Sequence, residues 1–597
     1  MPFAPRDSRF TAAVMTAVTA AVTTVLPAAT SRSDPAPTTP TAIIDGSTTY
    51  QTISGFGASE AFGQAVTVMH AAPATRQRVL DLLFSPTTGA GLTILRNEIP
   101  SDPGGTIEPT ASSGPAAKPA YRALGDDEGQ EWIAKQAQGY GVTQFLADAW
   151  GAPAFMKTNG ADSGGGVLCG VPGADCAGGD WRQAYANYLV QYAKDYRADG
   201  IALDYLGFEN EANLAPSYSG MVLTPAQTAN FADVFGPTLA ASGLFTRLEC
   251  CAAEGWDYAA GYTGAITADP VADSYVKLIT SHGYTASVAG PLAAQGKPVW
   301  QTEWSTFDGW NPAWDDGSDA SGFTWAQHIY TGLTSANLGA FLYWWGSATP
   351  SSNGDNESLL EIDGAQVAAS GRLWAFANYS RYVHPGATRI GVTSADRNLD
   401  LTAFKNTDGT VAVVALNTSN SADPVSYSLG NTGIGGGTAT PHLTNASSTA
   451  TAQAGISVVG GTFTAYVPAR SLVTYLVTPS GYSSPGPPPS TPAAPSAPTT
   501  PSTPPAPTTP PPSSSAHPSP PQSSPSTSPN VPRTRRSARS TGKASALGWP
   551  NDRRHHRRTQ RADTRSGCGR AALPALRRDP RLVDLPDPGG QAGPAPE

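Results

Sequence analysis

Two glutamates carry the strongest chemical signal in the sequence. Glu211 closes the run Gly207-Phe208-Glu209-Asn210-Glu211, and Glu303 closes Trp300-Gln301-Thr302-Glu303, with Trp304 following. Hydrolysis of a glycosidic bond needs such a pair. One carboxyl protonates the leaving oxygen while the other acts on the anomeric carbon, the two about 5–5.5 Å apart when configuration is retained. A single glutamate at a strand end is ordinarily an ion-pair partner. Two of them, each ending a β-rich run and each beside an amide or an indole, point to catalysis instead. Around them Trp150, Trp256, Tyr284, Trp304, Trp344 and Trp345 fall at or just after strand ends. Such rings stack on the C–H faces of sugars, and an indole N–H still donates a hydrogen bond. His282 and the Arg96-Asn97 pair end β-rich runs as well. Arg96 is suited to orient a catalytic carboxylate, because a guanidinium meets a carboxylate through two parallel donors. No cysteine–histidine spacing suggests zinc, and an acid–base pair of this kind requires no metal or organic cofactor.

These residues meet only if the elements that carry them point to one place. Eight β-rich runs recur, at residues 53–57, 92–97, 143–149, 203–209, 246–252, 277–282, 298–303 and 340–345. The stretches between them are long enough for crossover helices; residues 183–196 place Tyr185, Leu189, Tyr192 and Tyr196 at helical spacing. Eight alternations over residues 53–384 predict an α/β fold, a (β/α)8 TIM barrel, whose strand C-termini share the face where loops build the active site. The fourth and seventh runs carry the glutamates, so their tips face each other across the mouth. Over residues 385–478 the pattern becomes short alternating runs, at 399–405, 411–416, 425–429, 463–467 and 471–477, split by turn residues such as Asp408-Gly409. This predicts an antiparallel β-sandwich side domain. Residues 40–52, with Asp45-Gly46 as a turn, are expected to add one or two strands to it.

The remaining segments are not core-forming. In residues 1–30, Arg6 and Arg9 precede a low-charge stretch rich in Ala, Val and Thr that ends in Pro27-Ala28-Ala29. That is the layout of a secretory signal peptide, so the protein is expected to be secreted and extracellular, with no membrane partner. Of 55 prolines, 20 lie between Pro485 and Pro532, and residues 479–532 read as a Pro/Ser/Thr linker. Residues 533–597 hold 15 Lys+Arg against 6 Asp+Glu and no Ile, Phe, Tyr or Met, the composition of a disordered basic tail. A linker of this type normally tethers a second folded module, and a shifted or truncated reading frame would explain a tail without one; peptide mass mapping tests this. The other 532 residues carry 22 basic and 40 acidic side chains. That excess of acid argues against nucleic acid or an anionic membrane surface as partner. A monomer is expected. Cys169 and Cys176 bracket a glycine-rich segment and are able to pair in an exported protein. Cys250 and Cys251 read as small buried hydrophobes.

Several of these motifs resemble glycoside hydrolase family 30. They are Ile53-Ser54-Gly55-Phe56-Gly57-Ala58-Ser59, Pro153-Ala154-Phe155-Met156-Lys157-Thr158-Asn159, Gly207-Phe208-Glu209-Asn210-Glu211, Ser281-His282-Gly283-Tyr284, Trp300-Gln301-Thr302-Glu303-Trp304 and Tyr343-Trp344-Trp345. The likeness covers residues 42–478 in order. It implies retaining hydrolysis, with Glu211 as acid/base, Glu303 as nucleophile and Asn210 holding the sugar 2-hydroxyl. Arg96, Asn97, Trp150, His282, Tyr284, Trp344 and Trp345 are expected to line or support the substrate site. The usual Gln-Asn-Glu-Pro reads Glu209-Asn210-Glu211-Ala212 here. The Ser59 to Phe62 run and the Cys250-Cys251 strand look most like the xylan-active branch, so a β-1,4-xylan or glucuronoxylan polysaccharide is the expected substrate. Action on β-1,6-glucan, β-1,6-galactan or glucosylceramide is the alternative within the family. A carbohydrate-binding protein without turnover is the alternative outside it. Arg122 and Lys157 are candidates to hold a glucuronyl branch.

Overall fold

Alternation along eight parallel strands decides what fills the barrel. In the computed structural model, which describes residues 39–483 except Asp308 and Asp355, a first strand β1 (Thr41–Thr52) precedes them. The barrel strands are β2 (Gly55–Ser59), β3 (Ile94–Ile99), β4 (Gln144–Ala149), β5 (Tyr205–Leu206), β6 (Arg247–Ala253), β7 (Val276–His282), β8 (Val299–Glu303) and β9 (Ala340–Ala348). The ring closes because β9 pairs with both β2 and β8. Every run expected from the sequence is present. The fourth is short, two residues, although Gly207 N–H donates to Ala147 O at 2.8 Å and carries the ladder further.

Successive inward positions lie two residues apart on a strand. One closed layer, Ile94, Leu146, Tyr205, Leu278, Trp300, Ala340 and Leu342, is apolar and buried. Two residues further along the same strands stand Arg96, Asp148, Gly207, Thr280, Thr302 and Trp344. A polar storey therefore lies between an apolar floor and the mouth.

Helices α1 (Gln64–His70), α2 (Pro73–Phe84), α3 (Gln130–Gly139), α4 (Arg182–Ala198), α5 (Pro225–Ala240), α6 (Trp256–Ala268), α7 (Pro270–Tyr275) and α8 (Gly322–Ser335) cover the outside, and α9 (Gly371–Ser380) follows the last strand. Helix α4 buries Tyr185, Leu189, Tyr192 and Tyr196, the stripe expected from their spacing, and Tyr188 beside them. Helix α5 starts on a capping box in which Thr224 and Gln227 satisfy each other's backbone N–H, with Pro225 in the first turn. The β7-to-β8 crossover, residues 283–298, contains no helix.

A hairpin, β10 (Ser358–Asp363) and β11 (Gln366–Ala369), extends the barrel sheet from β9. The side domain then comprises β12 (Thr388–Ser394), β13 (Leu399–Lys405), β14 (Val411–Asn417), β15 (Asp423–Gly430), β16 (Gly436–Asn445), β17 (Ser448–Ala452), β18 (Ile456–Val459), β19 (Thr462–Val467) and β20 (Leu472–Pro479). The short runs expected here are β13, β14, β15, β19 and β20. Strands β16 and β17 are mostly Gly, Thr, Ser and Ala and show little apolar alternation. The N-terminal segment forms one strand, not a hairpin: β1 runs antiparallel to β12 and parallel to β15, with a register shift between Asp45 and Thr49 where a turn was expected. Tyr427 stacks on Phe463 at 4.7 Å in the sandwich core. Barrel and sandwich are joined by polar contacts. Thr474 donates to Asn378 O of α9, Trp314 Nε1 donates to Arg470 O at 2.8 Å, and Arg470 pairs with Asp315 at 2.7 Å.

Both cysteine pairs are disulfides, Cys169–Cys176 and Cys250–Cys251. The second corrects the expectation of two unbonded thiols, although both residues are buried as expected. It lies where β6 slips register against β7, so the chain there is free of a regular ladder. The expected signal peptide (1–30), most of the linker (479–532) and the basic tail (533–597) lie outside the described residues. Among the described residues no helix is long and apolar enough to cross a membrane.

Candidate active site

Glu303 is the last residue of β8, and Arg96 stands on the inward face of β3. The fully buried Arg96 guanidinium reaches three acceptors, Glu303 Oε2 at 2.5 Å, Asp148 Oδ2 at 3.0 Å and Asn210 Oδ1 at 2.7 Å. Burial works against its charge, but Glu303 and Asp148 outweigh that and hold its pKa above the ordinary value. Tyr284 donates its hydroxyl to the other oxygen, Glu303 Oε1, at 2.7 Å. Both oxygens of this carboxylate are thus oriented.

Glu211 reaches the same mouth from beyond β5. Its backbone has φ +48°, a region non-glycine residues rarely occupy, and its N–H donates to Ala252 O at 2.8 Å. Strained backbone of this kind costs about 1–3 kcal/mol and persists only where surrounding contacts impose it. His282 Nδ1 lies 3.1 Å from Glu211 Oε1, and its Nε2 lies 3.9 Å from Glu303 Oε2. The imidazole therefore stands between the two carboxylates, and one oxygen of each lies within 4.8 Å of the other. The separation suits retention, where the groups are about 5–5.5 Å apart, and is too short for inversion, where a water must fit between them. Tyr218 OH is a further neighbour, 3.4 Å from Glu211 Oε2.

The aromatic residues divide into two groups. Trp150 and Trp344 face each other at 5.8 Å around Arg96, whose guanidinium lies 4.7 Å from the Trp150 ring, and Phe62 meets both edge-on. Trp345 stacks on Trp344 at 5.3 Å, and Tyr284 stacks on Phe307 at 5.5 Å. Trp256 is committed elsewhere, its indole N–H donating to Gln301 at 2.6 Å. Trp304 packs with Trp325, His328 and Phe341. Asn97 departs from expectation. One residue past Arg96 on an alternating strand, it faces the helix layer and donates to Tyr196 OH at 3.0 Å, so it is not brought to the mouth.

Several participants gave no motif signal. Tyr218 comes from the long loop after β5. Asp148 and Glu249 are single acids inside the apolar stretches Ala147-Asp148-Ala149 and Leu248-Glu249-Cys250, and only the inward parity of the barrel strands would have exposed them. Burial pushes Asp148 up to about 7 against the pull of Arg96, with Glu303 adding to the rise. Burial and the nearby Asp148 hold Glu249 well above the usual carboxylate range.

Glu60, just beyond β2, is a further buried acid. It accepts from Ser347 at 2.9 Å, and burial pushes its pKa up to about 8. A Cβ at Gly346 would stand 2.4 Å from its other oxygen, so only glycine leaves it room. The folded protein here favours the protonated acid, whose ordinary value is 4.5. Its contribution is complete at low pH and is lost as pH rises from there through about 8. Urea unfolding across this range should show stability falling with pH. Glu60→Gln should flatten that fall by up to about 1.4 kcal/mol per pH unit, one proton's worth.

Comparison with known proteins places both folded regions in one family. Residues 39–290 match the model of O-Glycosyl hydrolase family 30, and residues 386–475 match the Glycosyl hydrolase family 30 beta sandwich domain. The solved catalytic domain of GH30 xylanase C from Talaromyces cellulolyticus is similar over 73% of this chain and all of its own, at 42% identity and a TM-score of 0.69. Glucuronoxylanase XynC of Bacillus subtilis is 26% identical over 49% of this chain and 66% of its own length. Lysosomal acid glucosylceramidase of Mus musculus is 24% identical over 64% of this chain and 77% of its own length.

Proposed function

Because the chain belongs to glycoside hydrolase family 30, we propose that it is a secreted retaining β-1,4-xylanase in which Glu303 is the nucleophile and Glu211 the acid/base. The observation that carries the assignment is the approach of these two carboxylates to within 4.8 Å at one barrel mouth. In the first step Glu303 attacks the anomeric carbon while the glycosidic C–O bond breaks, and Glu211 delivers its proton to the departing oxygen. In the second, Glu211 removes a proton from water, the water oxygen bonds to the anomeric carbon, and Glu303 leaves as a carboxylate. Arg96 and Tyr284 stabilise that carboxylate before attack and after release. Asn210 turns its oxygen toward Arg96, which leaves its NH2 to meet a sugar hydroxyl.

The choice of xylan is supported by the 42% identity to the Talaromyces xylanase. A glucuronyl branch would need a cation over its carboxylate. Residues 304–321 and 349–371, which follow β8 and β9, contain no Lys or Arg. Lys157 is buried and donates to the carbonyls of Asp162 and Gly220 at 2.6 and 2.8 Å, and Arg122 donates to Gly104 O. Both candidates from the sequence are thus engaged with backbone, which favours the unbranched neutral chain.

Reducing-sugar release on debranched xylan, glucuronoxylan and β-1,6-glucan tests this reading. Comparable turnover of both xylans and none of the glucan is expected. Activity on glucuronoxylan alone would overturn the neutral-chain reading. Activity confined to the glucan would overturn xylan, and binding without turnover on all three would overturn hydrolysis. Secretion rests on residues 1–30 alone; N-terminal sequencing of protein from the culture medium should find the mature chain starting near residue 30.

A further inference from the structure

Beneath the mouth, two buried carboxylates crowd one glycine. Asp148 Oδ1 and Glu249 Oε1 lie 2.2 and 2.0 Å from the point where a Cβ on Gly207 would stand, so both oxygens crowd the same glycine. Asp148 Oδ1 is buried and has no hydrogen-bond donor. Two bare carboxylates buried in that position would repel, and a single proton between them removes the conflict. The outer oxygens of the pair are both engaged. Asp148 Oδ2 accepts from Arg96 at 3.0 Å, and Glu249 Oε2 accepts from Thr280 at 2.6 Å.

From Thr280 the chain of contacts continues upward. Thr280 spends its only hydroxyl proton on Glu249, and its oxygen accepts the Ala252 N–H at 2.9 Å. Ala252 O in turn accepts the Glu211 N–H at 2.8 Å. Both Ala252 and Glu211 have left-handed backbone, φ +45° and +48°, so this stretch depends on outside contacts to hold its shape. On the other side, Arg96 holds Glu303 at 2.5 Å.

We propose that Glu249 is a positioning residue: by sharing one proton with Asp148, it links the backbone that presents Glu211 to the guanidinium that holds Glu303. The inference rests on the assignment of those two glutamates. Glu249 itself touches no substrate; it is 1% exposed and lies behind Gly207. The other charged groups facing the pair are Arg96 on β3, Glu209 beyond β5 and Glu303 on β8. One cation thus faces four carboxyls. A shared proton removes one of those charges, and burial holds the pKa of Glu209 well above the usual carboxylate range.

The test compares Glu249→Gln with Glu249→Ala on xylan, in the full chain. A glutamine reproduces the protonated acid: its oxygen still accepts from Thr280 and its NH2 donates to Asp148. Glu249→Gln should keep kcat within about threefold, whereas Glu249→Ala should lose roughly 10- to 100-fold in kcat with KM changed less than about twofold. Circular dichroism and unfolding midpoints identify an alanine variant that has simply failed to fold, and Glu249→Met, similar in length, with no donor and only a weak sulfur acceptor, then takes its place. Equal activity of Gln and Ala (or Met) variants would overturn the proposal, as would a loss confined to KM. Glu303→Gln run alongside separates the two readings, since its survival would sink the catalytic assignment and leave the Glu249 comparison without its premise.

Discussion

Glu303→Gln should abolish turnover of xylan, lowering kcat by about 10⁴ or more, a barrier increase of about 5.4 kcal/mol at the lower bound. The amide is nearly the same size and can still take a hydrogen bond from Arg96 or Tyr284, so folding and substrate binding should survive. What it lacks is the negative charge that makes the carboxylate a nucleophile able to form the glycosyl ester. Glu211→Gln should behave differently. Loss of a general acid costs about 10²–10⁴ on a sugar leaving group, which departs poorly without a proton. An aryl xyloside with an acidic phenol needs no proton to leave, so its bond-breaking step should be nearly unaffected. Values of kcat/KM on xylan and on a nitrophenyl xyloside, which report bond breaking and not the later attack of water that Glu211 also assists, separate the two roles. Equal losses of kcat/KM on both substrates for Glu211→Gln would reject the acid/base assignment.

Arg96→Met should be the most destabilising single change in the barrel mouth. The guanidinium is fully buried and is the shared partner of Glu303, Asp148 and Asn210. Removing it strands two acids in a low-dielectric interior, and breaking buried pairs of this kind costs roughly 3–5 kcal/mol. The sign of the pH dependence follows. Without Arg96 the pKa of Asp148, already pushed up to about 7 by burial, rises further, so the protein stays most stable where that acid is protonated and loses more than the parent as pH increases. Urea unfolding of both proteins at pH 5 and pH 8 should show the gap widening at the higher pH. A gap of constant size would mean that Arg96 contributes through packing against Trp150 and not through charge. Arg96→Lys should recover part of the stability without the activity, because a single ammonium cannot span three acceptors in a plane.

The barrel was readable because its strands are apolar on both faces and end in polar or aromatic residues. That same two-sided burial hid part of the site. In a half-exposed strand an acid marks the wet face; in Ala147-Asp148-Ala149 and Leu248-Glu249-Cys250 both neighbours are buried, and nothing local says which way the carboxylate turns. Asn97 is the converse case. Its type suited a sugar site, but β3 runs on to Ile99 and Arg96 had already taken the inward direction, so alternation sent the amide outward. Tyr218 arrives from a loop of no regular period. Glu211 itself lies five residues beyond the last residue of β5, and its placement depends on a left-handed turn that the motif encodes only as a string of polar letters.

The first strand has a consequence for how this protein comes into being. Ala42 pairs with Ser394 and Thr41 with Ser426, so the opening segment of the folded region takes its place only after nearly the whole chain exists. Closing a loop of several hundred residues adds little entropy beyond that of a modest one, since the cost grows only with the logarithm of length. It does impose an order on biosynthesis. The barrel strands follow one another and can associate as they emerge, while β1 has to wait with its edges open until the ribosome has finished the residues that flank it. A nascent chain stalled near residue 390 should therefore be a target for chaperones and proteases even with its barrel assembled, and grafting the barrel alone onto another protein would leave that ribbon behind as an adhesive edge.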